Sequence, residues 1–151
     1  MELILWRHAD AEDGMPDSER ELTAKGLKQA ARMAKWLRAR IPENAAILVS
    51  PAKRAQQTAR ALSPNFKTVN EIGTSATPED VLRAVGWPGD DSTVVVVGHQ
   101  PTLGETAARL MTGKKGEWAL KKGAVAWVAR RANAAADARA QLRAWISADL
   151  L

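Results

Sequence analysis

The 151-residue sequence has no cysteine and no tyrosine, a single phenylalanine and two histidines. Without thiols there are no disulfides, thiolate nucleophiles, iron–sulfur clusters or cysteine-ligated zinc sites, which fits a reducing compartment. No stretch approaches the roughly 20 apolar residues of a membrane span, so no membrane partner is expected. The opening Met1–Trp6 is too short, and with Glu2 too acidic, for a secretory leader, so a cytoplasmic location is expected. Dense lysine/arginine tracts are also missing. The formal net charge of +5 points to attraction towards an anion, and no nucleic-acid partner is expected. There is no repeat, low-complexity tail or long linker. Residues 1–151 read as a single domain with one ordinary core.

Apolar runs alternate with helical patterns along the chain. Leu3–Trp6 reads as a strand. Thr23 caps a helix whose expected apolar face is Leu27, Ala30, Ala31, Ala34 and Leu37, stopped by Pro42. Ala45–Val49 is a second strand, and Pro51 is placed to start a helix that runs to about Leu62. Phe66–Val69 is a weak strand and Pro78–Val85 a short helix. Thr93–Val97, "TVVVV", is the strongest strand and reads as buried on both faces. Pro101 starts a helix to about Met111. Ala124–Ala129 and the alternating stretch from Ala138 to Ile146 read as an antiparallel pair turning near Asn133. The expected fold is α/β: a three-layer α/β/α sandwich with a mostly parallel central sheet and an antiparallel edge.

Polar residues gather at the carboxyl ends of the first, second and strongest strands. Arg7-His8 follows one, Ser50-Pro51-Ala52-Lys53-Arg54 another, and Gly98-His99-Gln100-Pro101 the third. Open α/β sheets bind ligands outside those ends, so both histidines and two arginines can converge on one crevice. A histidine after a strand is by itself more often a satisfied polar residue than a catalyst; two at equivalent positions are harder to dismiss. Arg54 sits in the first turn of its helix, where a cation opposes the dipole at about 0.3–1 kcal/mol, a local cost that hints at function. Two imidazoles, two guanidiniums and helix N-termini suit phosphoryl transfer. A neutral imidazole can be the nucleophile, and the nearby arginines keep His8 unprotonated.

"RHADA", "SPAKRAQQT" and "GHQP", in that order, resemble the histidine phosphatase superfamily, with its phosphoglycerate mutase-like fold. The short chain and "DSERELTAKG" resemble its small bacterial branch, the SixA-type phosphohistidine phosphatases. The resemblance implies that His8 is the phosphorylated nucleophile and that Arg7 and Arg54 hold the phosphoryl oxygens. It makes His99 a second phosphate-binding, transition-state-stabilising histidine, with Ser50 and Pro51 shaping the turn that presents Arg54. Arg20, in the "DSxRxLT" segment, borders the site. The chain departs from the commoner pattern at Ala9, where glycine is usual, and at Asp10 to Gly14, where many relatives carry pocket threonine and asparagine. Lys121-Lys122 replaces a small polar residue before Gly123; it reads as a surface pair, with docking of an acidic partner as the alternative.

Larger relatives insert a helical segment between the positions of Arg54 and His99, carrying an acid that protonates the leaving oxygen. Here that interval holds one weak strand and one short helix. An alkoxide leaving group needs such an acid, typically a 10²–10⁴-fold effect, whereas an imidazole, with a free pKa near 6.5, does not. The expected activity is therefore a phosphatase for phosphohistidine on a protein. Alternatives are a phosphatase of small phosphorylated metabolites and a non-catalytic phosphate-binding module. Asp17 and Glu19 are the candidate general acids, with Glu12 beside them; solvated loop carboxylates are their ordinary reading. No metal and no other cofactor is expected, although carboxylates remain available to Mg²⁺.

Overall fold

The β-branched run Thr93–Gly98 lies inside the sheet and is buried on both faces over its last five residues. In the computed structural model, which describes residues 1–151, the strands are β1 (Glu2–Arg7), β2 (Ala46–Val49), β3 (Lys67–Thr68), β4 (Thr93–Gly98), β5 (Val125–Ala129) and β6 (Gln141–Ile146). The helices are α1 (Ala24–Arg38), α2 (Lys53–Leu62), α3 (Pro78–Val85) and α4 (Thr102–Thr112). The six strands form one sheet in the order β3-β2-β4-β1-β5-β6. The pairs β3/β2, β2/β4 and β4/β1 are parallel; β1/β5 and β5/β6 are antiparallel. This is the expected three-layer sandwich. No helix is long and apolar enough to cross a membrane.

Strand periodicity divides the core in two. Leu3, Leu5, Val94, Val96, Ala126 and Val128 face one layer with Val81 and Val85 of α3 and Leu103, Ala107 and Leu110 of α4. Ile4, Trp6, Val95, Val97, Val125 and Trp127 face the other, with Met33, Ala34 and Leu37 of α1 and Ala55, Ala59 and Leu62 of α2. Successive side chains of a strand point to opposite faces, so one apolar run serves two cores.

Three expectations need correction. The buried face of α1 is Gly26, Ala30, Met33, Ala34 and Leu37; Leu27 is 54% exposed and Ala31 lies in solvent. The helix is rotated because its N-terminus packs directly on the backbone after His8. Helix α2 begins at Lys53, with Ala52 rather than Pro51 beside its first residue. Strand β6 begins at Gln141, and its register shifts opposite Trp127/Val128. Leu142 pairs with Val128 and Ala144 with Trp127, so the bulge at Arg143 breaks the simple alternation expected from Ala138 to Ile146.

Gly26 marks the close packing of α1. A Cβ there would sit 1.9 Å from the Asp10 carbonyl oxygen. Alanine is the better helix former by about 1 kcal/mol, but overpacking costs about 1–3 kcal/mol. The backbone that must move lies two residues after His8. Gly26→Ala is expected to lower stability in urea denaturation despite the gain in propensity, and to lower activity with it.

Candidate active site

Strands β1 and β4 pair in parallel from Glu2↔Thr93 to Arg7↔Gly98. The next residue of each is a histidine. The His8 N–H continues the ladder to the Gly98 carbonyl at 3.0 Å. The imidazole rings end side by side, centroids 5.2 Å apart and planes tilted by 57°, near the ~4.8 Å spacing of neighbouring strands. From β2, the Ser50 N–H donates to the Val97 carbonyl at 3.0 Å, and Ser50 Oγ lies 2.7 Å from His99 Nε2. Arg54, the second residue of α2, is 4% exposed and turns its guanidinium towards His8. The structure thus brings His8, Arg54 and His99 together. The Arg7 guanidinium borders them, donating from Nη1 to the Leu120 carbonyl at 2.9 Å.

The hydrogen bonds define the state of His8. Nδ1 lies 2.8 Å from the Ala9 carbonyl oxygen, which can only accept, so Nδ1 carries the proton. Arg54 Nε–H donates to His8 Nε2 at 3.3 Å, so Nε2 holds the lone pair. Burial, the largest cause, pushes the His8 pKa down to about 3; the Ala9 bond opposes this, while His99, Arg54 and Arg7 reinforce it. Burial, then Arg54, pushes His99 down to about 4, with Asp17 opposing and Arg7 reinforcing. Both rings are neutral at pH 7.

Only two buried side-chain polar atoms in the chain have no partner: Arg7 Nε and His99 Nδ1. Native structures leave few such atoms, and leaving one costs about 1–3 kcal/mol. Both belong to residues that the family resemblance places on phosphate oxygens, and two unpartnered nitrogens in one crevice suit an anion that accepts from them.

Asp17 is the carboxylate at the site. Arg54 donates from Nη1 to its backbone carbonyl at 2.9 Å and from Nη2 to Oδ2 at 3.1 Å. Arg20 Nη1 donates to Oδ1 at 3.1 Å, and Arg20 Nε to the Glu12 carbonyl at 2.7 Å. The bond from Arg20, opposed by desolvation and reinforced by Arg54, holds the Asp17 carboxyl below its usual range. Asp17 is thus ionised and bound to two guanidiniums, a poor state from which to give a proton. Glu19 is exposed, and its side chain makes no hydrogen bond or ion pair. Arg20 reaches the site through Asp17 rather than touching either histidine.

Thr58 is a component that sequence reasoning missed. Its Oγ donates to the Arg54 carbonyl at 2.7 Å and accepts from the Ala9 N–H at 3.0 Å, fastening the loop after His8 to α2. The signal was available: Thr58 closes "SPAKRAQQT" one helical turn after Arg54. Asp10 ties the same loop to Thr23 Oγ at 2.8 Å and to Lys122 Nζ at 3.0 Å. No group of three or more His, Asp or Glu side chains is placed to hold a metal ion.

The depressed histidine pKa values make stability pH-dependent. Unfolded histidines titrate near 6.5, so below that pH the unfolded chain binds protons that the folded site refuses. Stability is full above pH 6.5 and falls with pH until the folded values of about 4 and about 3 are passed. Between pH 7 and 5 a loss on the order of 2–4 kcal/mol is expected in urea denaturation. The double variant His8→Gln/His99→Gln should flatten this dependence; an unchanged slope would place its origin elsewhere.

Comparison with known proteins gives a consistent result. Residues 3–77 match the histidine phosphatase superfamily (branch 1), a stretch that holds Arg7, His8 and Arg54 but not His99. The phosphohistidine phosphatase SixA of Escherichia coli is 35% identical over 124 residues, covering 76% of each chain. An uncharacterised Mycobacterium tuberculosis protein is 35% identical over 105 residues, 67% of this chain; the match spans 66% of that relative's own length. Among solved structures, protein histidine phosphatase SixA complexed with tungstate superposes with a TM-score of 0.84 over 99% of both chains at 24% identity, which supports the fold.

Proposed function

The chain belongs to the histidine phosphatase superfamily, and we propose that it dephosphorylates phosphohistidine on another protein by passing the phosphoryl group through His8. Nε2 of His8 attacks phosphorus in line. An N–P bond forms as the P–N bond to the substrate ring breaks; that ring, already protonated from solvent on its distal nitrogen, departs as neutral imidazole. Water then attacks the phosphorus of phospho-His8, releasing inorganic phosphate and restoring the free lone pair. Arg7, Arg54 and His99 stabilise the equatorial oxygens in both steps. These groups are cationic or hydrogen-bonding already, so the reading assigns no role to a metal.

The observation that carries the choice of substrate is Asp17. The one carboxylate at the site is ionised and bound by Arg54 and Arg20. With no protonated acid in place, expulsion of an alkoxide is slow, while a phosphoimidazole takes its proton from solvent on the distal ring nitrogen and leaves as neutral imidazole without a positioned acid. The similarity to SixA of Escherichia coli agrees with this reading. A substrate panel tests it. Phosphohistidine is expected to exceed phosphoserine and sugar phosphates in kcat/KM by at least about 10²-fold, with activity unchanged by EDTA. Preference for the sugar phosphates overturns the proposal in favour of a metabolite phosphatase. Tight phosphate binding without turnover of any donor identifies a binding module instead.

A further inference from the structure

Helix α1 has no acidic residue but carries Lys25, Lys28, Arg32 and Lys35 at intervals of three, four and three. Residues so spaced share one helix face. All four are exposed, and none makes a hydrogen bond or an ion pair. Adjacent like charges destabilise a helix, and Lys25 and Lys28 also lie near its N-terminus, where cations oppose the dipole. Asp149 borders the row, and Asp10 lies within electrostatic reach of Lys25 at its start. Alongside run Ala24, Leu27 and Ala31, all exposed, with Leu27 at 54%.

This face begins at the rim of the active site. Thr23, the N-cap, holds Asp10 through its hydroxyl, and Gln29 Oε1 accepts from the Asp10 N–H at 2.9 Å. The first two turns of α1 are therefore fastened to the segment that carries His8. From there the cations lead away along the helix for about 15 Å.

Resting on the phosphohistidine-protein reading above, the geometry points to this stripe as the docking surface for an acidic face of the protein whose phosphohistidine enters the site. The cations supply attraction and orientation at encounter, and the Ala24-Leu27-Ala31 row packs against aliphatic side chains of the partner. A single file of charge beside an apolar row matches one helix or extended segment of a protein. The one aromatic of α1, Trp36, is half-buried, packed edge-on against Trp127 and covered by Arg40, so it is neither the free anchor of a membrane-surface helix nor a base-stacking platform.

The test uses phosphohistidine peptides long enough to span the stripe, flanked either by Asp and Glu or by Asn and Gln, with free phosphohistidine as the third substrate. The intact protein is expected to favour the acidic peptide by about tenfold in kcat/KM at low salt, a preference that salt erodes. In Lys28→Gln/Arg32→Gln/Lys35→Gln the preference should disappear while free phosphohistidine turns over as before. The thermal midpoint should be equal or higher, because repulsion along α1 is relieved. Equal kcat/KM for the two peptides, or a preference that survives the triple substitution, overturns the docking surface and leaves the phosphohistidine reading standing. So does binding to DNA or to phosphatidylserine vesicles that the triple variant loses without any peptide preference. Failure of the intact protein to hydrolyse free phosphohistidine overturns the underlying reading and the docking surface with it.

Discussion

His8→Asn is expected to abolish turnover, lowering kcat by at least about 10⁴-fold, because it removes the only lone pair positioned to attack phosphorus. The lone pair is assigned to Nε2 by two contacts that leave no choice. The Ala9 carbonyl fixes the proton on Nδ1, and Arg54 donates to Nε2. The pKa of about 3 keeps that nitrogen unprotonated at neutral pH. Rapid-quench experiments with a phosphoryl donor should trap acid-labile, alkali-stable protein phosphate in the unsubstituted protein and none in His8→Asn. His99 is the sole other imidazole; its Nε2 is engaged with Ser50 and its unpartnered Nδ1 is the nitrogen that donates to the anion in this reading, so it makes no good substitute. Phosphoenzyme in His8→Asn, or activity above about 1% of the original, would transfer the nucleophilic role elsewhere.

The clustering of Arg7, His8, Arg54 and His99 was legible because strand ends are legible. Leu3–Trp6 and Thr93–Val97 announce themselves by apolar content, and whatever follows them lies at the carboxyl edge of the sheet. That β1 and β4 are immediate neighbours in parallel register is written in neither strand. It follows from sheet assembly, and it turns two separate histidines into a pair with ring centroids 5.2 Å apart. The Arg54–Asp17 contact was illegible for the same reason: it spans 37 positions and joins a helix start to a 3₁₀ turn. Asp17 stood out as a candidate acid from its place in the loop, but its charge state depends on partners that only the fold supplies. Helix α1 shows the opposite limit. Its span was readable, while its rotation was decided by Gly26 meeting the Asp10 backbone, a contact with no hydrophobic signature. In β6 a bulge overrode a period-two pattern that looked regular in the sequence.

Arg54→Lys should cost about 10²–10³-fold in kcat while raising KM only slightly, a split that separates the shape of the guanidinium from its charge. Three donors of Arg54 are committed: Nε to His8, Nη1 to the Asp17 carbonyl and Nη2 to the Asp17 carboxylate. Nη2 thus already holds a carboxylate oxygen, with Nη1 on the backbone carbonyl of the same residue. A phosphoryl group bound by the same fork takes the place of the Asp17 carboxylate, and the Nε–H passes from His8 Nε2 to a phosphoryl oxygen, which frees the His8 lone pair for attack. Lysine keeps one positive charge, so the anion is still drawn in. It cannot present a planar fork to the phosphoryl oxygens, and the penalty falls on the transition state. Arg54→Gln loses the charge as well, so its KM should rise well beyond that of Arg54→Lys at a similar kcat. Steady-state kinetics of both variants on phosphohistidine decide the matter. If Arg54→Lys retains kcat within about threefold, the fork geometry is irrelevant to the chemical step and Arg54 acts as a point charge alone.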